Sequence, residues 1–259
     1  MKFNFFQVDS FTNKIFNGNP ACVVPLEEWL DDNILLKIAQ ENSVAETAFF
    51  IKDVDSYKIR WFTPDLEIDL CGHATLATAF IIKSFFDFDS NIINFKSISG
   101  NLTVNISDEN YFLDFPARIA KPASLPKEIE VSLNILPKEI YKSRDYMLVY
   151  KNQIDIENII VNRSLFDKIN LGVGGVIVTS PGNSSDFVSR FFTPQATILE
   201  DPVTGSSHCS LIPYWSSVLC KKKMLALQLS SRGGSLICQD MEDRVKIGGK
   251  AVLFAKGEF

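Results

Sequence analysis

Apolar and polar residues alternate, or run apolar without interruption, over residues 3–8, 21–26, 48–52 and 58–62, the patterns of half-buried and fully buried strands. Between the second and third lies one helix. Residues 31–42 place Ile34, Leu35, Ile38 and Ala39 on one face, with Asp31 or Asp32 as the cap. Residues 73–86 are apolar almost all round, which predicts a helix buried along its length, and strands at 94–97, 102–106 and 112–115 follow it. The order then returns. Strands near 146–150 and 157–161, a short helix at 164–169 and strands at 176–179 and 188–192 precede a second buried helix from near Gly205. Pro213 inside that helix predicts a kink or an early break. Strands around Leu227, Leu236 and Val245 and a last one over residues 250–255 complete the chain.

The second pass also repeats residues. Arg60-Trp-Phe-Thr-Pro64 returns as Arg190-Phe-Phe-Thr-Pro194, 130 positions later, and Gly72-His-Ala-Thr75 as Gly205-Ser-Ser-His208, at 133. Gly100-Asn-Leu-Thr-Val104 pairs with Gly234-Ser-Leu-Ile-Cys238 at 134, the slow drift that loop insertions in a duplicated ancestor would leave. The expected fold is α+β: two pseudo-symmetric halves, residues 1–116 and 126–259, each a mostly antiparallel sheet or barrel wrapped around a central buried helix. The stretch PARIAKPASLP between them, with three prolines, reads as the linker. The last strand is expected to cross back to the first half.

Composition narrows the classes of function. With 46% hydrophobic residues in 259, the chain can build large cores, and a net charge of -5 implies no basic surface for nucleic acid. Five cysteines without a C-x-x-C pair fit reduced thiols in a cytoplasm better than a disulfide framework. Gln7 and Asp9 cut the first apolar run short of a signal peptide, and no stretch reaches the roughly 18 apolar residues of a membrane span.

The starts of the two buried helices are the first candidates for chemistry. Helix amino termini present unpaired N–H groups and a positive dipole end, so helices starting at Gly72 and Gly205 could hold a carboxylate in the cleft between the halves. The bland alternative is that each glycine only permits a tight turn. Gly172, Gly174 and Gly175 fail as a dinucleotide fingerprint, because a strand follows them. A zinc site of Cys71, His73, His208 and Cys209 is also disfavoured, since neighbouring helical residues point about 100 degrees apart.

Six stretches, Gly18-Asn-Pro-Ala21, Glu46-Thr-Ala-Phe49, Arg60-Trp-Phe-Thr-Pro64, Cys71-Gly-His-Ala-Thr75, Glu200-Asp-Pro-Val-Thr-Gly-Ser206 and Ser231-Arg-Gly-Gly234, resemble in order the motifs of the phenazine-biosynthesis PhzF-like family. That family is similar in fold to diaminopimelate epimerase. The resemblance implies a cofactor-free isomerase, with no metal, that moves a proton on a small carboxylated substrate. Glu46 matches the family's catalytic glutamate, and His73 and Asp201 match its active-site histidine and aspartate. Gly72, Gly205 and Ser206 would bind substrate, and a homodimer is a compatible assembly. Asp201-Pro202 also fits a helix N-cap followed by proline at the first helical position. Ser43-Val-Ala-Glu46 has the spacing of a capping box, but a strand follows it and leaves no helix to cap. Two other functions remain open. An amino-acid racemase or epimerase is weakened because Cys71 pairs by the repeat with Thr204 and not with a second thiol, and a non-catalytic binding protein would keep the site without the chemistry.

Overall fold

The computed structural model of the chain describes residues 2–259, which form a mixed α/β protein with many strands and few helices. Two compact units divide it: one runs to Phe115 and resumes over Lys246–Phe259, and the other is Pro116–Val245. No helix among the described residues is long and apolar enough to cross a membrane.

In the first unit, β1 (Asn4–Ser10) lies antiparallel to β2 (Asn19–Leu26). A crossover through α1 (Asp32–Asn42) lets β2 pair parallel with β3 (Glu46–Lys52). Asp31 caps α1 by accepting the Asn33 N–H at 2.9 Å, and Ser43 ends it in the left-handed conformation. Leu35 and Ala39, one turn apart, bury against Val24, Leu26, Phe49 and Phe62. β4 (Tyr57–Phe62) pairs antiparallel with β3 and with the short β5 (Glu67–Ile68). Next comes α2 (Gly72–Phe85), whose residues from Gly72 through Ala79 are all buried, as its unbroken apolar character requires. β6 (Ile92–Ser97) pairs parallel with β4, and β7 (Gly100–Ser107) and β8 (Asn110–Pro116) extend the sheet antiparallel.

The second unit opens with β9 (Lys121–Pro122) and α3 (Lys127–Ser132), then β10 (Glu139–Lys142), which pairs antiparallel with β9 and with β11 (Tyr146–Val149). Two short helices, α4 (Gln153–Glu157) and α5 (Arg163–Phe166), cross over to β12 (Val176–Pro181), parallel to β11. β13 (Phe187–Phe192) is antiparallel to β12, and the buried α6 (Gly205–Leu219) follows. β14 (Lys223–Gln228) pairs parallel with β13, and β15 (Gly234–Asp240) pairs antiparallel with β14. Thus β11 to β15 repeat the parallel, antiparallel, parallel, antiparallel order of β2, β3, β4, β6 and β7. After β16 (Arg244–Gly249), the last strand β17 (Ala251–Glu258) pairs antiparallel with β1.

The repeated Arg-aromatic-Phe-Thr-Pro motif has a structural use. Arg60 grips Glu67 through two hydrogen bonds of 2.7 and 2.6 Å, and Arg190 grips Glu200 through two of 2.7 and 2.9 Å. Each guanidinium also lies over the motif's own phenylalanine, Phe62 at 5.1 Å and Phe192 at 4.9 Å.

Three expectations need correction. Pro213 does not end its helix early: α6 runs on to Leu219, and the Cys209 carbonyl that proline leaves without an intrahelical donor accepts the Arg118 N–H at 2.9 Å. Residues 157–161 form no strand. A capping box of Asn152 and Asp155 starts α4 there, and Arg190 Nη1 donates to the carbonyls of Ile156 and Ile159 at 3.0 and 2.9 Å, occupying acceptors a neighbouring strand would need. The stretch 116–126 is no free linker, because it is hydrogen-bonded into the second unit: Ala117 N–H donates to Asp243, Arg118 to Cys209 and Ala123 to Ile140, at 2.9 to 3.0 Å.

Candidate active site

Three element starts in the first unit bring their side chains together. Asn19 opens β2, Glu46 opens β3 and is paired in register with Ala21, and Cys71 precedes α2, placing Gly72 and His73 in the helix's first turn. Glu46 and His73, far apart in sequence, meet with Oε2 and Nε2 3.0 Å apart. Their side chains are 17% and 4% exposed, so the pair is shielded while the carboxylate keeps a path to solvent. The two atoms are at ion-pair distance but neither completes a hydrogen bond in this arrangement, which leaves both with unspent capacity. On the other side of the ring, Nδ1 lies 3.1 Å from Asn19 Nδ2 and 3.5 Å from Cys71 Sγ.

These contacts set the charges. Burial opposes a charged imidazole at His73, but the Cys71 sulfur and the Glu46 carboxylate outweigh it and raise the ring well above the ordinary histidine range. Burial, reinforced by Glu46, raises the Cys71 thiol, so it stays protonated at neutral pH and is a poor nucleophile. Glu46, Cys71 and His73 each bring a metal-binding atom within 4.8 Å of one another. The thiol approaches Nδ1 and the carboxylate approaches Nε2, so the ring turns a different nitrogen to each.

Asp201, Gly205 and Ser206 fall together in the second unit, at the start of α6. Asp201 does not cap the helix, since Thr204 occupies that position; its carboxylate instead accepts the Thr204 hydroxyl at 2.5 Å. The buried Gln228 fixes this turn. Its amide donates to the Asp201 carbonyl at 2.8 Å and accepts the Thr204 N–H at 2.9 Å. Ser206 Oγ accepts from Arg144 Nη2 at 2.9 Å, and Arg144 is itself clamped by the fully buried Asp145, which also accepts the Gly175 N–H at 2.9 Å. His208, one turn into α6, turns Nδ1 to the Thr204 carbonyl at 2.8 Å; burial pushes it down to about 4, so it is neutral near pH 7.

Sequence reasoning named Glu46, His73, Gly72, Asp201, Gly205 and Ser206, and the structure gathers the first three around one imidazole and the last three around one helix start. It missed Asn19 and Arg144. Asn19 stood inside a motif already singled out, whereas Arg144 carried no signal, because its value lies in contacts with Asp145 and Ser206 that only folding creates.

The chain matches the model of the phenazine biosynthesis-like protein family (PhzC-PhzF) over residues 8–257. It is 44% identical over 258 residues to a Pseudomonas aeruginosa protein named an uncharacterized isomerase, covering 99% of this chain and 98% of that one. A crystal structure of a phenazine biosynthesis protein of the PhzF family from Enterococcus faecalis is 46% identical, with a TM-score of 0.95 over 100% of this chain and 99% of that one. A hydroxyproline epimerase from Agrobacterium vitis, only 9% identical, shares the fold with a TM-score of 0.63 over 99% of this chain and 92% of its own. Motifs, fold and sequence likeness along nearly the whole length agree: the chain belongs to the phenazine biosynthesis-like protein family.

Proposed function

We propose that the protein is an isomerase that moves a proton on a small carboxylate-bearing substrate by general acid–base catalysis, without a cofactor. The observation that carries this reading is the contact of Glu46 with His73 at 3.0 Å in a shielded site at the start of a buried helix. A carboxylate so placed can take a proton from carbon and return it elsewhere, with the imidazole beside it as partner. The name of the Pseudomonas relative supports the class of reaction. Gly72 puts no side chain over the first turn of α2, where free N–H groups suit a substrate carboxylate. In the second unit the start of α6 is a separate candidate with the same kind of glycine, Gly205, beside the Ser206 hydroxyl and the Asp201 carboxylate. The matching orders of strand pairing and the paired Arg–Glu clamps support two pseudo-symmetric halves descended from one ancestor.

A two-thiol racemase is the weaker reading: Cys71 stands before α2, but Thr204 holds the corresponding place before α6. Solvent deuterium incorporation into a ligand found by a metabolite thermal-shift screen tests the proposal. Glu46→Gln is expected to lose about a hundredfold or more of this exchange while binding persists, the scale of one positioned acid–base group. If Glu46→Gln keeps most of its turnover while Asp201→Asn is inert, the base lies in the second unit and the assignment is wrong.

A further inference from the structure

The motif Gly18-Asn-Pro-Ala21 has no part in the proton transfer just described, yet its asparagine is fully buried against the imidazole. We propose that Asn19 is a positioning residue that fixes the neutral ring of His73 in the tautomer with its proton on Nε2, the nitrogen beside Glu46. The catalytic meaning of this rests on the acid–base reading above; the tautomer itself is a property of the folded chain.

Two groups approach Nδ1. Asn19 Nδ2, at 3.1 Å, is an amide nitrogen and can only donate. Cys71 Sγ lies at 3.5 Å, and because burial and Glu46 keep that thiol protonated, its S–H is a donor as well. Two donors converging on one ring nitrogen call for a lone pair there. The proton of the neutral ring then sits on Nε2, and the atom 3.0 Å away is Glu46 Oε2, an acceptor. The Glu46 carboxylate and the Cys71 sulfur favour a second proton on the ring, while the Asn19 amide N–H on Nδ1 resists it.

The backbone holds Asn19 in place for this task. Ser10 faces Asn19 across the β1–β2 register, and its hydroxyl donates to the His73 carbonyl at 2.8 Å, tying both strands to the helix start. Gly18 precedes Asn19 with φ at +68, and a Cβ there would collide with the Ser10 carbonyl oxygen. Its glycine is what lets the chain enter β2 with the amide aimed at the ring. The consequence is that His73 exchanges protons with the site through Nε2 alone, and faces Glu46 as a neutral N–H donor whenever the ring holds one proton.

The chain has only two histidines, so long-range proton–nitrogen spectra of 15N-labelled protein resolve both. His208 is an internal reference, because the Thr204 carbonyl holds its proton on the opposite nitrogen, Nδ1. At pH above its titration, His73 is expected to carry its proton on Nε2 with Nδ1 bare. In Asn19→Asp, where a carboxylate accepts in place of an amide N–H, the proton should move to Nδ1 and the titration upward by about one to three pH units. A wild-type neutral ring protonated on Nδ1 overturns the proposal, as does a folded Asn19→Asp protein with an unchanged His73 tautomer. If that variant does not fold, the wild-type spectrum decides alone. No substrate enters this measurement, so its outcome is independent of the turnover test on Glu46→Gln.

Discussion

The two histidines lie under opposite influences, and pH should separate them. At His208 burial depresses the ring to about 4, so the unfolded chain binds the extra proton first as pH falls below about 6.5. Its contribution is therefore fully present above that pH and is lost on descending toward pH 4, on the order of 3 kcal/mol in total. His73 runs the other way. Its raised value, sustained by Glu46 and Cys71 against burial, gives stability that is complete below about pH 6.5 and lost as pH rises through the folded value. Urea unfolding at pH 7 and pH 5 should show a loss for the wild type that His208→Gln reduces; an equal loss in both would remove His208 from the account. The roles legible in sequence at this scale were those lodged in motifs. Glu46 and His73 could be named, but their separation could not, because it depends on β3 and α2 starting side by side, which no local pattern encodes.

Among elements, α6 shows how a local rule can be overridden. Proline inside a helix usually costs about 3 kcal/mol, partly through the hydrogen bond it removes. Here the deprived Cys209 carbonyl has the Arg118 N–H instead, and proline also restricts the unfolded chain. Pro213→Ala should accordingly change unfolding stability by less than about 1 kcal/mol in either direction, and a gain near 3 kcal/mol in urea titration would show that the substitute donor contributes little. The two buried helices were legible because an apolar surface all round a helix has one physical solution, burial. Residues 157–161 were not, since Ile159, Ile160 and Val161 favour a strand locally while the Asn152–Asp155 box and the Arg190 guanidinium act on the same backbone. Short elements such as β5 and β9 carry too few residues for any periodicity.

At the scale of the molecule, the first unit is assembled from the two ends of the chain, with Pro116–Val245 intervening in sequence. β17 covers one edge of β1 along its length, from Asn4 opposite Glu258 to Ser10 opposite Ala251. Deleting residues 251–259 should strip protection from the β1 amides in hydrogen exchange and lower the unfolding midpoint of the first unit, while amides of β12 and β13 stay protected. Loss of protection in both units together would mean that they unfold as one. The repeated Arg-aromatic-Phe-Thr-Pro motif was visible in sequence because Arg60 and Arg190 each keep an aromatic ring beside them, and the end of the first stretch at Phe115 lies next to the expected 116. The bonding of residues 116–126 into the second unit was not visible, since their prolines look the same in a linker and in a bonded segment.

The return of β17 to β1 also has a meaning in time. A ribosome adds about 5–20 residues each second, so roughly 12 to 50 seconds separate the synthesis of the first strand from that of its closing partner. Through that interval one edge of β1 has no native neighbour, and an open edge is a template for pairing with other nascent chains. The second unit, continuous in sequence, faces no such delay. In a cell, β1 thus waits for a partner made about 240 residues later, and chaperone demand from its open edge should fall only when residues 251–258 emerge.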